Sequence, residues 1–520
     1  RLAGDVTGLD RATLRLGALT LDGAGQIDRA TRRVTGTLQM EAAGLDPADA
    51  ALAQAVGSRL SGRVGLDWEA GAPLQLRDMD VGGDDYGLTG SVSIAGLTGD
   101  ALLEILPDVR LRADRLARFG PLAGAALGGS ADVAIAGRVA PVRGAFDLTV
   151  DGTTRALQTG IAQLDPLIAG AGTVLLAAER DESGTRLAPL RIETDAARIE
   201  AEGRVSGGAG DVTVAARIAD LGVALPGLDG PAVLDLAATE APDGWRLDGT
   251  VDAPGDTRLA VAGTAGDRLT GRLEARIGRL GAYADVADRP LGGALNLTVE
   301  GDAAADLSEA TLSARGTADV LRLGIPTLEA FLPGRTRLDI DAALDDGIVD
   351  LAALRLSGPQ LRANISGRAG ADTADLTLDA RVTDLSPLAE DLAGPATVSG
   401  QVSRDGGPFR LDLSGTGPGG ITLAARGTAA ADGRRVALAL DGTAPLALAN
   451  ARIAPRTAGG FARFDLRVDG PPALSSVSGT IRTEGAQVAL PTLGIGIDAV
   501  QLRVDLASGR ARLDGGAILR

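Results

Sequence analysis

The chain has 520 residues, 68 acidic and 51 cationic side chains, no His, no Cys and a net charge of −17, and every cation is arginine. Without Cys there is no disulfide framework, thiol nucleophile or thiolate zinc site, and without His the commonest general base and metal ligand are missing. The acid excess argues against nucleic acid, which needs clustered basic residues, and against electrostatic adhesion to anionic membranes.

In chain order, period-two alternation of apolar and polar residues dominates, with short amphipathic stretches between. The first such stretch is Asp46–Arg59, which predicts a helix. Phe146, Leu148 and Val150 then alternate with polar residues as a strand, and Thr154–Leu167 carries helical spacing through Leu157, Ile161 and Leu164. Leu295/Leu297/Val299 is a strand, Thr327–Leu332 a short helix, and Leu338/Ile340/Ala342 a strand. Leu376, Leu378, Ala380 and Val382 alternate with Thr377, Asp379 and Arg381, and Leu385–Leu392 again reads as helix. Phe464, Leu466 and Val468 alternate with Arg463, Asp465, Arg467 and Asp469, and Val500/Leu502/Val504/Leu506 closes the series. Successive strand side chains point to opposite faces, so each strand has one apolar and one wet face, which is the antiparallel signature. Asp-Gly pairs at 151, 229, 243, 346, 405, 432, 441, 469 and 514 supply turn signals. At about one strand per 12 residues they predict roughly 40 strands.

The chain also repeats itself. Gly128, Gly129, Gly137, Gly152, Gly160 and Gly170 lie 164 residues before Gly292, Gly293, Gly301, Gly316, Gly324 and Gly334. The same offset carries Arg217, Asp220 and Leu221 onto Arg381, Asp384 and Leu385, and Leu228, Gly230 and Pro231 onto Leu392, Gly394 and Pro395. This predicts a β-repeat segment at 1–111, two copies at 112–275 and 276–439, and a truncated segment at 440–520. The matched residues are turn glycines and inward apolars, so the repeat copies a shape rather than a reaction centre.

Aromatic residues are 2% of the chain and Gly 74 of 520. That composition suits repeated thin layers, closed as a solenoid with a dry core or curled as an open trough. The carboxylate pairs Asp84-Asp85, Glu179/Asp181 and Asp345-Asp346 sit beside turns and read as solvated acids. Gly415–Gly420 lacks the strand–turn–helix setting of a nucleotide site. Tyr86, Tyr283, Trp68 and Trp245 are scattered and read as core or rim filler. No catalytic, cofactor or metal site is expected.

Three stretches carry a family likeness: Ile161–Gly170 with the strands that follow to Glu202-Gly203, Ala380–Ala389, and Gly479–Gly494 with its following strands. In these the chain resembles the TamB family (translocation and assembly module subunit), within the AsmA-like, bridge-like lipid transfer proteins. The resemblance implies an all-β, elongated antiparallel β-taco, a half-open curled sheet with an apolar groove and a few short helices. It implies the periplasmic body of an inner-membrane-anchored protein that meets an outer-membrane barrel of the Omp85 type. It further implies a role in outer-membrane protein and autotransporter assembly and in phospholipid transport. Neither the anchor nor the terminal domain is recognisable, and the chain opens at Arg1, so a middle fragment is expected. Expected partners are phospholipid acyl chains and outer-membrane protein clients. Expected groove-lining residues are Leu376, Leu378, Val382, Phe464, Leu466 and Val468. The competing readings are a secreted structural β-solenoid, such as an adhesin stalk, and, less well supported, a carbohydrate-active β-helix.

Stacked thin layers add length rather than girth. Small-angle scattering is expected to give a radius of gyration well above the ~24 Å of a compact chain of this length. A value near that figure contradicts the layered reading.

Overall fold

The computed structural model describes all residues except 1, 4, 5, 46–48, 98–101, 432, 508 and 520. The fold is all-β and antiparallel, with a few short helices, and divides into two compact units, Arg1–Pro254 and Gly255–Arg520. In the first unit each strand from Leu2–Ala3 to Gly244–Ala253 pairs with the next in sequence. In the second the same holds from Thr257–Ala265 to Arg510–Leu519. Both are plain meanders, and among the described residues neither closes into a barrel.

The strands form because the alternation gives each one a face to bury and a face to hydrate. Tight hairpins follow where two residues accept positive φ. Asp346 (φ 47°) and Gly347 (φ 77°) join strands Arg335–Asp345 and Ile348–Ser357 in this way. The described residues form 32 strands rather than about 40. Part of the reason lies in the Asp-Gly pairs, and the rest in long connectors such as 278–291. Asp243-Gly244, Asp346-Gly347 and Asp405-Gly406 do turn the chain, and 432 lies outside the described residues. Asp151-Gly152, Asp441-Gly442 and Asp514-Gly515 instead lie inside strands Ala145–Gln158, Val436–Pro445 and Arg510–Leu519. There Asp takes the wet face and Gly the apolar one.

These inward glycines have a steric cause. Gly427 sits at φ +147° between Leu411 and Leu438, and a Cβ would overlap the Ala437 carbonyl oxygen. Gly400 (φ +153°) lies between Leu378 and Leu413 against the Asp412 carbonyl. Strands close in over these positions in a way no L side chain allows, which bends the sheet. Bulges between Leu187 and Leu190 and between Leu351 and Leu354 add further local twist.

Expected helices are shorter than their periodicity suggests. Of Asp46–Arg59 the described part gives a helix at Ala50–Val56. Thr154–Leu157 continue strand Ala145–Gln158, because cross-strand partners at Ala131 and Gly172 hold them extended, and helix begins only at Asp165 and ends at Ile168. Thr327–Leu332 yields Pro326–Glu329, and Leu385–Leu392 only a turn of 3-10 helix at Glu390–Leu392.

Equivalent elements recur at the 164-residue spacing. Strands Gly128–Ala140 and Gly292–Ala304 share it, as do Ala145–Gln158 and Glu309–Arg322, and Ala232–Ala241 and Ala396–Asp405. Hydrogen bonds recur too. The Asp165 carboxylate accepts from the Thr159 and Gly160 N–H groups, and Glu329 accepts from those of Leu323 and Gly324.

In each unit the long connections leave from one rim of the sheet. They are 44–58, 114–127, 159–170 and 219–231 in the first, and 278–291, 323–334, 383–395 and 446–456 in the second. The opposite rim carries short turns such as 182–183 and 346–347. Much of the buried core lies under the connector rim. Ile168 packs with Leu157 and Ile192 in one unit, and Leu332 with Phe331 and Leu361 in the other. Within each unit the described strands contact chiefly their hydrogen-bonded neighbours and the short connectors, so the sheets are thin.

Gly427→Ala is expected to lower stability by about 1–3 kcal/mol, read as a shift in the urea midpoint. Gly207→Ala, with no atom within 4 Å of the added carbon and ordinary φ, should stay within about 0.5 kcal/mol of the parent. Equal tolerance at both positions would contradict the steric account.

Candidate functional site: the apolar face

The six expected lining residues all lie on one face of the second unit. Leu378 faces Gly400, then Leu413, Ala425, Leu440 and Leu466 across successive strands. Leu376 runs through Val402, Leu411, Gly427 and Leu438 to Val468 along the same strands. Phe464 lies opposite Gly442 on one side and Ile481 on the other. All are half-buried, while Asp379, Arg381, Asp465 and Arg467 on the reverse face are exposed. Val382 sits at the end of the row, packed against the Phe331–Leu332–Leu361 cluster, so the connector 323–334 covers much of it.

The face has a gradient of exposure. Inward residues nearest the connector rim are covered: Ala113 is 1% exposed, Ala318 0% and Leu361 6%. Inward residues nearest the hairpin rim are open: Val205 is 50% exposed, Leu269 36% and Val349 39%. Val398 and Leu423 stay open near the connector rim because the connection there, Pro418–Gly420, is only three residues long.

The reverse face is a lattice of arginine–carboxylate pairs between neighbouring strands. Arg33 makes a two-pronged bond to Asp67 at 2.8 and 2.7 Å, Arg110 meets Asp132 at 2.6 Å, and Arg426 meets Asp412 at 3.1 Å. The Arg33 hydrogen bond holds the Asp67 carboxyl below its ordinary range. Each exposed pair contributes little, but opposite charges set across neighbouring strands favour one register. Two open hollows between side chains lie on this face. One of about 430 Å³ lies among Arg191, Glu200, Thr213, Asp235 and Asp248, and another of about 290 Å³ among Arg258, Glu274, Arg276 and Arg315. They are gaps between charged side chains. The Arg198 hydrogen bond holds Glu200 low, the opposite of a general acid.

The turn carboxylates have structural partners. Asp84 meets Arg59 at 2.8 Å. Asp85 is 10% exposed and holds Arg115 at 2.5 Å and Arg118 at 2.6 Å, the latter contact close but outside hydrogen-bonding geometry. Arg118 also lies over the Tyr86 ring, which meets Phe119 edge-on and donates its hydroxyl to the Val56 carbonyl. Asp181 accepts from Ser183 within its turn. Among the described residues no group of three or more acids could hold a metal ion, and no helix is long and apolar enough to cross a membrane.

Two connectors are locked by aspartates at equivalent positions. Asp220 accepts from the Gly222 and Gly230 N–H groups, and Asp384 from those of Ser386 and Gly394. The Gly230 N–H lowers the Asp220 pKa most, and the Ser386 hydroxyl that of Asp384. A depressed folded-state pKa adds stability above the ordinary carboxylate value of ~3.9 that is lost as pH falls through the folded value. An Asp220→Asn/Asp384→Asn variant should therefore lose less thermal stability than the parent on going below about pH 4. Parallel melting curves across that range would contradict the lock. No protein-family model matches this chain, and no curated protein matches it.

Proposed function

We propose that the apolar face is the wall of a groove for phospholipid acyl chains. In this reading the chain is the periplasmic body of a TamB-like, inner-membrane-anchored protein. It assists outer-membrane protein and autotransporter assembly and moves phospholipid between the two membranes. The observation that carries the proposal is the unroofed ladder from Leu378 to Leu466, apolar or glycine at every position and half-exposed. A monomer seldom leaves more than a few hundred Å² of contiguous apolar surface uncovered without a ligand for it. An acyl chain gains about 0.8 kcal/mol per buried CH₂ and needs no polar partner. Similar Leu, Val, Ala and Gly layers repeat with no deep pocket, so holding is weak and even, as sliding requires. The open sheet weighs against the stalk reading, because a closed solenoid would bury these same residues.

A photo-crosslinking residue at Leu378 or Leu466 is expected to capture phospholipid, while one at Asp379 or Arg467 is not. Leu466→Asp should abolish transfer between vesicles while leaving the sheet folded, since an unpaired charge beside hydrocarbon is costly. Equal capture on both faces, or none on either, would defeat the proposal.

A further inference from the structure

The groove reading leaves open which way a lipid lies across the sheet, and three features of the rims bear on this. The first is the exposure gradient described above. Connectors tuck Leu167, Ile168, Phe331 and Leu332 beneath one rim, while among the described residues the hairpin rim has no such buried cluster.

The second is the placement of aromatic rings. Trp68, Phe146, Trp245 and Phe409 all stand on the apolar face at the hairpin rim. Trp68 pairs with Val34, Phe146 with Val139, Trp245 with Glu240 and Phe409 with Ala429. Each is half-buried. Large rings take such positions where an apolar region meets water.

The third is charge. Among paired positions in phase with the apolar face, charged residues occur at the hairpin end of strands: Arg180 opposite Phe146, Glu240 opposite Trp245, and Arg404 opposite Ala374. Glu240–Trp245 and Arg404–Phe409 occupy the same corner 164 residues apart, with the charge reversed. Glu240 accepts from the Gly208 and Gly210 N–H groups at 2.9 and 2.8 Å. Arg404 donates to the Gly407 carbonyl at 3.0 Å and the Ala371 carbonyl at 3.4 Å, and its guanidinium stands 5.4 Å from the centre of the Phe409 ring. A guanidinium has five N–H donors, so Arg404 keeps some beyond those two bonds. Its side chain is 24% exposed and forms a 3.6 Å ion pair with Asp372, whose own side chain is 77% exposed, so that the pair is solvent-screened and a phosphate can compete for the guanidinium.

We infer that phospholipid lies across each sheet with its acyl chains toward the connector rim and its polar end at the hairpin rim, and that in the second unit Arg404 beside Phe409 meets the phosphate. This rests on the groove reading and adds an orientation and a headgroup contact. The chains run over Leu, Val and Gly ladders and stop where the connectors close the face. The glycerol region falls among the half-buried rings, and the phosphate reaches the first cation on that face.

Two photoreactive phospholipids separate the inference from its foundation when given to the full chain in phosphatidylcholine vesicles. One carries a benzophenone on its headgroup and the other a diazirine at the end of an acyl chain. The tail probe should label peptides containing Leu376–Val382 and Phe464–Val468. The headgroup probe should label those containing Glu240–Trp245 and Arg404–Phe409, and not the connectors 159–170 and 323–334. Arg404→Gln should lower headgroup labelling at its own corner about tenfold, and by more than it lowers tail labelling there. Headgroup label on the connectors at equal yield overturns the orientation while the groove stands. Unchanged headgroup label in Arg404→Gln overturns the phosphate contact. No inward label from the tail probe removes the groove, and the orientation with it.

Discussion

Everything in this protein depends on parity. A strand turns alternate side chains to opposite faces, and a one-residue slip exchanges the faces. In each unit strand after strand holds the same parity, so Leu378 shares a ladder with Leu440 and Leu466 while Asp379, Asp441 and Asp465 share the other face. Ion pairs such as Arg426–Asp412 and Arg335–Asp319 add a second register signal on that other face. Where the count fails, a bulge absorbs the extra residue, as between Leu187 and Leu190.

Parity alone would give a flat, two-faced sheet prone to stacking through its apolar side. Two devices act against that. Inward glycines such as Gly400 and Gly427 let neighbouring strands approach more closely than any Cβ permits, bending the face. Connectors fold over one rim and fix it with small clusters around Ile168 and Leu332. What remains is an apolar face roofed along one side and open along the other. In the proposed function, that asymmetry is what gives a lipid both a place to lie and a direction to lie in.

The strands and their faces were legible in the sequence, because period-two alternation is local and strong in segments such as Asp375–Val382 and Phe461–Gly470. That the six expected residues share one face was legible for the same reason, although the cover over Val382 comes from residues fifty positions earlier and leaves no local trace. Asp-Gly pairs misled. At 346 the pair turns the chain, while at 151 and 441 an identical pair lies in mid-strand, since close approach of a neighbouring backbone demands glycine as strongly as a tight turn does. Thr154–Leu167 has helical spacing, but its first residues already had strand partners on both sides. Trp68 and Trp245 read in the sequence as core or rim filler, and both stand half-buried at the hairpin rim, as Phe146 and Phe409 do. Their signal was position: Trp245 and Phe409 each follow a turn directly, in Asp243-Gly244-Trp245 and Gly407-Pro408-Phe409.

The central claim is that the apolar face is unroofed because a lipid completes it. The most direct measurement is native mass spectrometry of the full chain after exposure to phosphatidylcholine vesicles and removal of free lipid. Several bound phospholipids per chain, with stepwise occupancy and no single dominant site, are predicted for the parent, and fewer for Leu466→Asp. A chain that emerges lipid-free, folded and unchanged by that substitution would contradict the account.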